Sequence, residues 1–299
     1  MRKARVGTVA AVLILGIAAC GGSLADTQSG LVKVVAGENF WGSIATQLGG
    51  SKANVQSVVS DPNADPHEYE SSTNDARAFA DAALVILNGA GYDDWGQKLL
   101  SANPSSHRQV VTVADLLGKK AGDNPHFWYN PAFVVSVADQ ITSSYKSIDP
   151  ADAAYFDQQR VAFGTAMKPY LDRIAEIKAR FGGKPVGSTE SIFVYMASAT
   201  GLDLISPGEF MQAVSEGNEP PASAVVTFHD QVAGKQIRVL VYNVQTPTST
   251  TTDMKNLATA SHIPVVGISE TLQPDTSTFQ DWQLQQLVDL KNALTAGSA

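Results

Sequence analysis

Apolar positions along this chain fall into short β-branched runs separated by stretches with helical spacing. In the first half the runs lie at residues 31–36, 55–59, 83–87 and 109–113. Between them, residues 72–81 open with hydroxyl side chains suited to cap a helix and then place apolar residues at helical spacing. The second half repeats the theme, with strands expected at 185–188, 237–242 and 263–268. Helices are expected there at 191–200, 222–233, 252–261 and 278–296. Strand followed by helix, repeated, predicts parallel sheets covered on both faces, an α/β chain.

A different pattern separates the halves. Asp149-Pro150 is a helix start, because aspartate caps and proline suits the first helical position, and Gly182-Gly183 is a stop. One helix over residues 151–181 would run about 45 Å at about 1.5 Å per residue. Its expected buried stripe is Tyr155, Phe156, Val161, Ala162, Met167, Tyr170, Leu171, Ile174 and Ile177. Pro169 is expected to kink this helix or divide it in two. The expected organisation is a signal peptide over 1–19, a lipidated tether over 20–30, a first lobe over 31–148, a linking helix over 149–182 and a second lobe over 183–299.

The leader has a basic start (Arg2, Lys3, Arg5), an apolar run over 6–17, and Ala18-Ala19 before Cys20. That run is shorter than the roughly 20 residues a membrane span needs, so it reads as an export signal. Ile17-Ala18-Ala19-Cys20 resembles a bacterial lipobox, in which the cysteine becomes the lipidated first residue and anchors the protein to the outer face of the cytoplasmic membrane. The alternative is an ordinary cleaved signal with an incidental cysteine. Cys20 is the only cysteine, so no internal disulfide forms. Without the leader's three basic residues the net charge falls from −8 to −11. Such an acidic balance argues against a nucleic-acid partner.

Two histidines sit directly behind prolines, His67 in Asp65-Pro66-His67-Glu68-Tyr69-Glu70 and His126 in Asn124-Pro125-His126-Phe127-Trp128. Proline restricts the backbone on both sides of it, so each imidazole has little freedom to lose on binding, which suits a metal ligand. In an open α/β sheet, ligands collect beyond the carboxyl ends of strands. Glu190 follows the 185–188 strand and Glu270 follows the 263–268 strand, so two ligands from each half would hold an ion between them. His107, His229 and His262 fit no such pattern.

These segments carry a family resemblance. The two Pro-His motifs, the run Thr189-Glu190-Ser191-Ile192-Phe193-Val194-Tyr195, Asn218-Glu219-Pro220, Tyr242-Asn243 and Val266-Gly267-Ile268-Ser269-Glu270 resemble the metal-binding solute receptors of bacterial ABC importers for zinc and manganese. The resemblance covers essentially the whole chain after the leader. It implies two lobes, each a mostly parallel sheet flanked by helices, joined by a long rigid helix. It further implies one divalent transition metal ion, Zn2+ or Mn2+, held by His67, His126, Glu190 and a fourth carboxylate. That fourth ligand is Glu270, at a strand end, or by a looser alignment Asp275. The implied partner is the membrane permease of an ABC importer, with the receptor acting as a monomer. Asp65, Glu68 and Glu70 are expected to accept hydrogen bonds from the imidazoles.

Two readings from other classes stand beside this one, a secreted metal-dependent hydrolase and a cell-surface adhesin with a structural metal. A hydrolase keeps an open coordination position for water. Four protein ligands argue for capture and delivery instead, and no His-Glu-x-x-His helix or nucleophile elbow appears.

Overall fold

The structure is a computed structural model that describes Met1, residues 30–61 and residues 69–297. Cys20, the rest of the expected leader and His67 lie outside the described residues. The chain divides into Met1–Gly30 and a second unit, Leu31–Ala299, and the fold below is that of the second unit.

Its first half runs β1 (Val32–Glu38), α1 (Asn39–Gly49), β2 (Ala53–Val59), α2 (Thr73–Asp81), β3 (Leu84–Leu87), α3 (Asp94–Ala102), β4 (Gln109–Thr112), α4 (Val113–Leu116) and α5 (Pro131–Ile148). Helices α6 (Ala153–Ala166) and α7 (Lys168–Phe181) follow. The second half runs β5 (Pro185–Ser188), α8 (Val194–Thr200), β6 (Asp203–Leu204), α9 (Gly208–Ser215), α10 (Ala222–Ala233), β7 (Leu240–Asn243), α11 (Ser249–Ala260), β8 (Val265–Ile268) and α12 (Phe279–Ala296).

All pairings are parallel, and the two sheets have matching orders, β2-β1-β3-β4 and β6-β5-β7-β8. In each, the chain leaves the first strand to one side and then crosses to the other. The switch points are therefore β1/β3 and β5/β7, the places where such sheets receive ligands.

Local chemistry sets the element ends. Ser72 caps α2 through a reciprocal box with Asp75, whose carboxylate accepts from the Ser72 backbone N–H at 2.6 Å. Burial alone would raise Asp75, but hydrogen bonds from Ser72 and Tyr69 outweigh it and hold the carboxyl below its usual range. Asn130 caps α5 by accepting from the N–H of Ala132 at 3.0 Å, with Pro131 at the first helical position. Along β1, Val32, Val34 and Ala36 face the central core while Val35 joins Phe79, Val85 and Leu87 on the other side, the two-residue alternation of a covered strand.

One continuous core cluster takes side chains from both sheets and from α5, α6, α7 and α12. Smaller clusters lie beyond each sheet, one around Phe79 and one around Phe228. Three hydrogen-bonded contacts tie α1 to the end of the chain. Asn39 Oδ1 accepts from Leu272 N at 3.0 Å, and Ser43 Oγ from Phe279 N at 3.0 Å. The amides of Gln47 and Gln280 bond reciprocally at 3.1 and 2.8 Å.

The stretch between the halves departs from a single rod. A 3-10 turn over Pro150–Asp152 precedes α6, and the helix breaks at Met167. Pro169 cannot donate to the carbonyl four residues back and its ring crowds that carbonyl, so a new helix starts beside it. The break also shifts the buried face. Val161 is 71% exposed, Ala162 and Leu171 also face outward, and Phe163 and Phe181 are buried instead. The buried positions Phe156, Phe163, Met167, Tyr170, Ile174, Ile177 and Phe181 keep three-, four- and seven-residue steps through the break, one continuous stripe. Helices α1, α3, α4 and α9 and the two-residue strand β6 have no counterpart in the sequence reading. Among the described residues no helix is long and apolar enough to cross a membrane.

Candidate metal centre

Among the described residues, most polar residues of the centre stand at or just beyond the carboxyl end of a strand. Glu38 ends β1, Asn88–Asp93 follow β3, His126 lies in the long connection after β4, Glu190 follows β5, Asn243 ends β7 and Glu270 follows β8.

His126, Glu190 and Glu270 meet in the interior, each 0% exposed. His126 Nε2 lies 3.2 Å from Glu190 Oε1 and 3.9 Å from Glu270 Oε2. One ligand atom from each of the three falls within 4.8 Å of the others, a spacing that one metal ion can bridge.

Asn124 sets the histidine. Its Oδ1 accepts from the backbone N–H of His126 at 3.0 Å and lies 2.8 Å from Nδ1, while its Nδ2 donates to the Ser191 carbonyl at 2.7 Å. The amide orientation follows from those backbone partners, so Nδ1 carries a hydrogen for Asn124 and Nε2 faces the carboxylates. For His126 the acceptor is therefore Asn124; of the acceptors expected from the sequence, Glu70 is exposed, and Asp65 and Glu68 lie with His67 outside the described residues. Trp128 at 5.2 Å and Tyr92 at 6.2 Å, centroid to centroid, present ring edges or faces to the imidazole, and Phe40 stacks on Trp128 at 3.9 Å.

The carboxylates are set by amides and a phenol. Asn243 Nδ2 donates to Glu190 Oε2 at 2.5 Å and to Glu270 Oε1 at 2.8 Å, turning Glu190 Oε1 towards the imidazole. Tyr92 donates its hydroxyl to Glu270 Oε2 at 2.5 Å. Burial, then the charge of Glu270, hold the Tyr92 hydroxyl well above its usual range, so it stays a donor. Gln245 Oε1 accepts from the backbone of Glu270 at 2.7 Å and Thr271 at 3.0 Å, anchoring the turn beyond β8.

Tyr92 belongs to an unusual turn. Gly89, Ala90 and Gly91 all have positive φ, at 75°, 57° and 91°. The two glycines adopt this region without cost, whereas Ala90 pays about 1–2 kcal/mol. Asp93 offsets it, its Oδ2 accepting from Asn88 N at 2.5 Å and its Oδ1 from Gly89 N at 2.7 Å. Burial pushes Asp93 up to about 6, although backbone hydrogen bonds from Gly89 and Asn88 pull it down. Asn88 carries the turn's position onward, donating to the Pro125 carbonyl at 2.9 Å beside His126.

Of the residues singled out in the sequence, the fold therefore brings His126, Glu190 and Glu270 together. Asp275 lies exposed in the turn before α12, outside this cluster, and His107, His229 and His262 are exposed elsewhere. The sequence reading assigned no role to Tyr92, Asn124 or Asn243. Asn243 was within reach of it, since it ends a strand just as Glu190 and Glu270 follow theirs. A cleft of about 650 Å3 opens beside the centre, with Tyr92, Asn124, Pro125, Ser191, Met211 and Gln212 on its walls.

This arrangement sits inside a recognisable family frame. The profile of the family described as zinc-uptake complex component A periplasmic matches residues 34–293. The chain belongs to that family. It is a family of solute-binding proteins, not of enzymes. The metal ABC transporter substrate-binding lipoprotein ScbA of Streptococcus cristatus is 25% identical over 223 residues, covering 67% of this chain and 69% of that protein. The manganese ABC transporter substrate-binding lipoprotein PsaA of Streptococcus pneumoniae is 23% identical over 286 residues, covering 87% and 88%. Among solved structures, the Mn-bound periplasmic metal binding protein from Candidatus Liberibacter asiaticus shares the fold with a TM-score of 0.71 at 16% identity, over 87% of this chain and 98% of that one.

Proposed function

We propose that this protein captures one divalent transition-metal ion, zinc or manganese, outside the cytoplasmic membrane and hands it to the permease of an ABC importer. The observation that carries the reading is the buried meeting of His126 from one half with Glu190 and Glu270 from the other. Two buried carboxylates and an imidazole nitrogen converging on one point are costly without a cation and well matched to one. In this reading His126, Glu190 and Glu270 are ligands, and His67 supplies the fourth. Glu270 is favoured over Asp275 because it is buried and doubly hydrogen-bonded at the centre. The centre lies between an N-terminal lobe over 31–148 and a C-terminal lobe over 183–299, with 149–182 connecting them. Cys20 carries the lipid anchor, and the receptor works as a monomer.

Names borne by the relatives point to the same cargo, manganese for PsaA and metal for ScbA. Intrinsic affinity of such a nitrogen and oxygen shell runs higher for zinc than for manganese. The test is a competition titration of the chelator-stripped protein with zinc and manganese, reading stoichiometry and affinity together. One tightly bound ion per chain is the expected result, and absence of binding by both metals overturns the proposal.

A further inference from the structure

The order β6-β5-β7-β8 places β7 between the strand that leads to Glu190 and the strand that leads to Glu270. Asn243 is the last residue of β7, in register with Ile268 of β8, and is 1% exposed. Its amide cannot turn over, because Oδ1 accepts the backbone N–H of Gln245 at 3.0 Å. Nδ2 therefore faces the carboxylates, with one hydrogen for Glu190 Oε2 and one for Glu270 Oε1. In each glutamate it is the other oxygen that approaches His126 Nε2, Glu190 Oε1 to 3.2 Å and Glu270 Oε2 to 3.9 Å.

We propose that Asn243 sets the metal preference of the centre: by holding one oxygen of each glutamate it limits both carboxylates to one-oxygen coordination, and so favours zinc over manganese. The inference deepens the proposed function and rests on it. Zinc suits a tetrahedral shell of nitrogen and oxygen donors, whereas manganese suits an octahedral, oxygen-rich one. One imidazole nitrogen and one oxygen from each of Glu190 and Glu270 fit within a tetrahedron. Were both carboxylates bidentate, the same residues would bring two further oxygens and approach the octahedral shell. Turning either glutamate to that mode breaks its bond to Asn243 and leaves a buried amide hydrogen without an acceptor, which is unfavourable. Tyr92 exerts no such hold, since its hydroxyl bonds Glu270 Oε2, the oxygen already directed to the imidazole.

The experiment measures zinc and manganese affinities of wild type, Asn243→Ala and Tyr92→Phe by chelator competition. X-ray absorption at the zinc edge of the loaded wild type supplies a second readout. In Asn243→Ala the zinc-to-manganese affinity ratio should fall by about 10–100-fold, the size of effect that groups supporting metal ligands have. Tyr92→Phe should change both affinities in the same proportion, and zinc in the wild type should be four-coordinate. An unchanged ratio in Asn243→Ala would overturn the inference, as would a ratio moved equally by Tyr92→Phe or a zinc shell with more donors than a tetrahedron holds. Should Asn243→Ala fail to fold, the zinc shell of the wild type still decides. A wild type that binds neither metal overturns the proposed function and the preference with it, whereas tight zinc binding in an expanded shell overturns this inference alone.

Discussion

Glu190 and Glu270 accept hydrogen bonds from the same nitrogen, Asn243 Nδ2, at 2.5 and 2.8 Å. An –NH2 group has two hydrogens, so each carboxylate takes one, and the amide draws together two groups that otherwise repel. Asn243→Ala should therefore cost the metal-free protein about 1–3 kcal/mol in urea unfolding. Saturating zinc should shrink that loss, because the cation takes over as the partner of both carboxylates. A loss that is equal with and without zinc would show that Asn243 acts on the fold and not on the carboxylate pair.

Metal affinity should fall as pH drops from about 8 to about 5, since protons compete with the ion for imidazole nitrogen across that range. His126→Ala should lower zinc affinity far more than His107→Ala, because His126 is buried against both carboxylates and His107 is exposed. Isothermal titration at a series of pH values checks both statements. A flat pH profile, or equal losses in the two variants, contradicts them.

The Glu38 carboxyl has a stability signature. Burial first, and Asp93 second, raise its folded-state pKa above the unfolded value of about 4.3. A carboxyl that holds its proton more tightly when folded stabilises the fold at low pH, and that contribution is lost as pH rises towards the folded pKa. Glutamine undergoes no such loss. The stability of Glu38→Gln relative to wild type should therefore grow as pH rises from about 4 towards neutrality, measured as urea midpoints of the metal-free proteins. A difference that shrinks over this interval would contradict the sign.

The stripe through α6 and α7 makes a packing prediction. Phe163→Ala should cost about 3–5 kcal/mol, the range for emptying a buried aromatic site. Val161→Ala, two residues away but 71% exposed, should stay within about 0.5 kcal/mol of wild type. Thermal unfolding of the two variants distinguishes this phase from one that buries Val161.

Much of the fold was legible because β-branched runs and cap residues act locally. The hydroxyl cap at Ser72 and the runs that became β1 to β5, β7 and β8 declare themselves within a few positions. Strand β6 does not, because two residues carry no period, and its pairing with β5 is decided by the sheet. Val161 was misplaced because a helical period laid through Pro169 assumes an unbroken helix. At the centre, strand ends pointed to Glu190 and Glu270, whereas Asn124, Tyr92 and Asp93 act through hydrogen bonds that appear only once the loops are folded. Asp93 in particular looks like an ordinary N-cap acid ahead of α3 until the positive φ angles of Gly89, Ala90 and Gly91 show what it holds.

The bonds from Asn39 to Leu272, Ser43 to Phe279 and Gln47 to Gln280 join positions more than 230 residues apart. Helix α1, made early, therefore waits for almost the whole chain before Asn39, Ser43 and Gln47 meet these distant partners. Closing such long loops is slow, and segments left waiting expose apolar surface. Nascent or truncated chains that lack α12 should accordingly be the species that aggregates or is degraded, so the final turns of this protein decide whether its first helix survives synthesis.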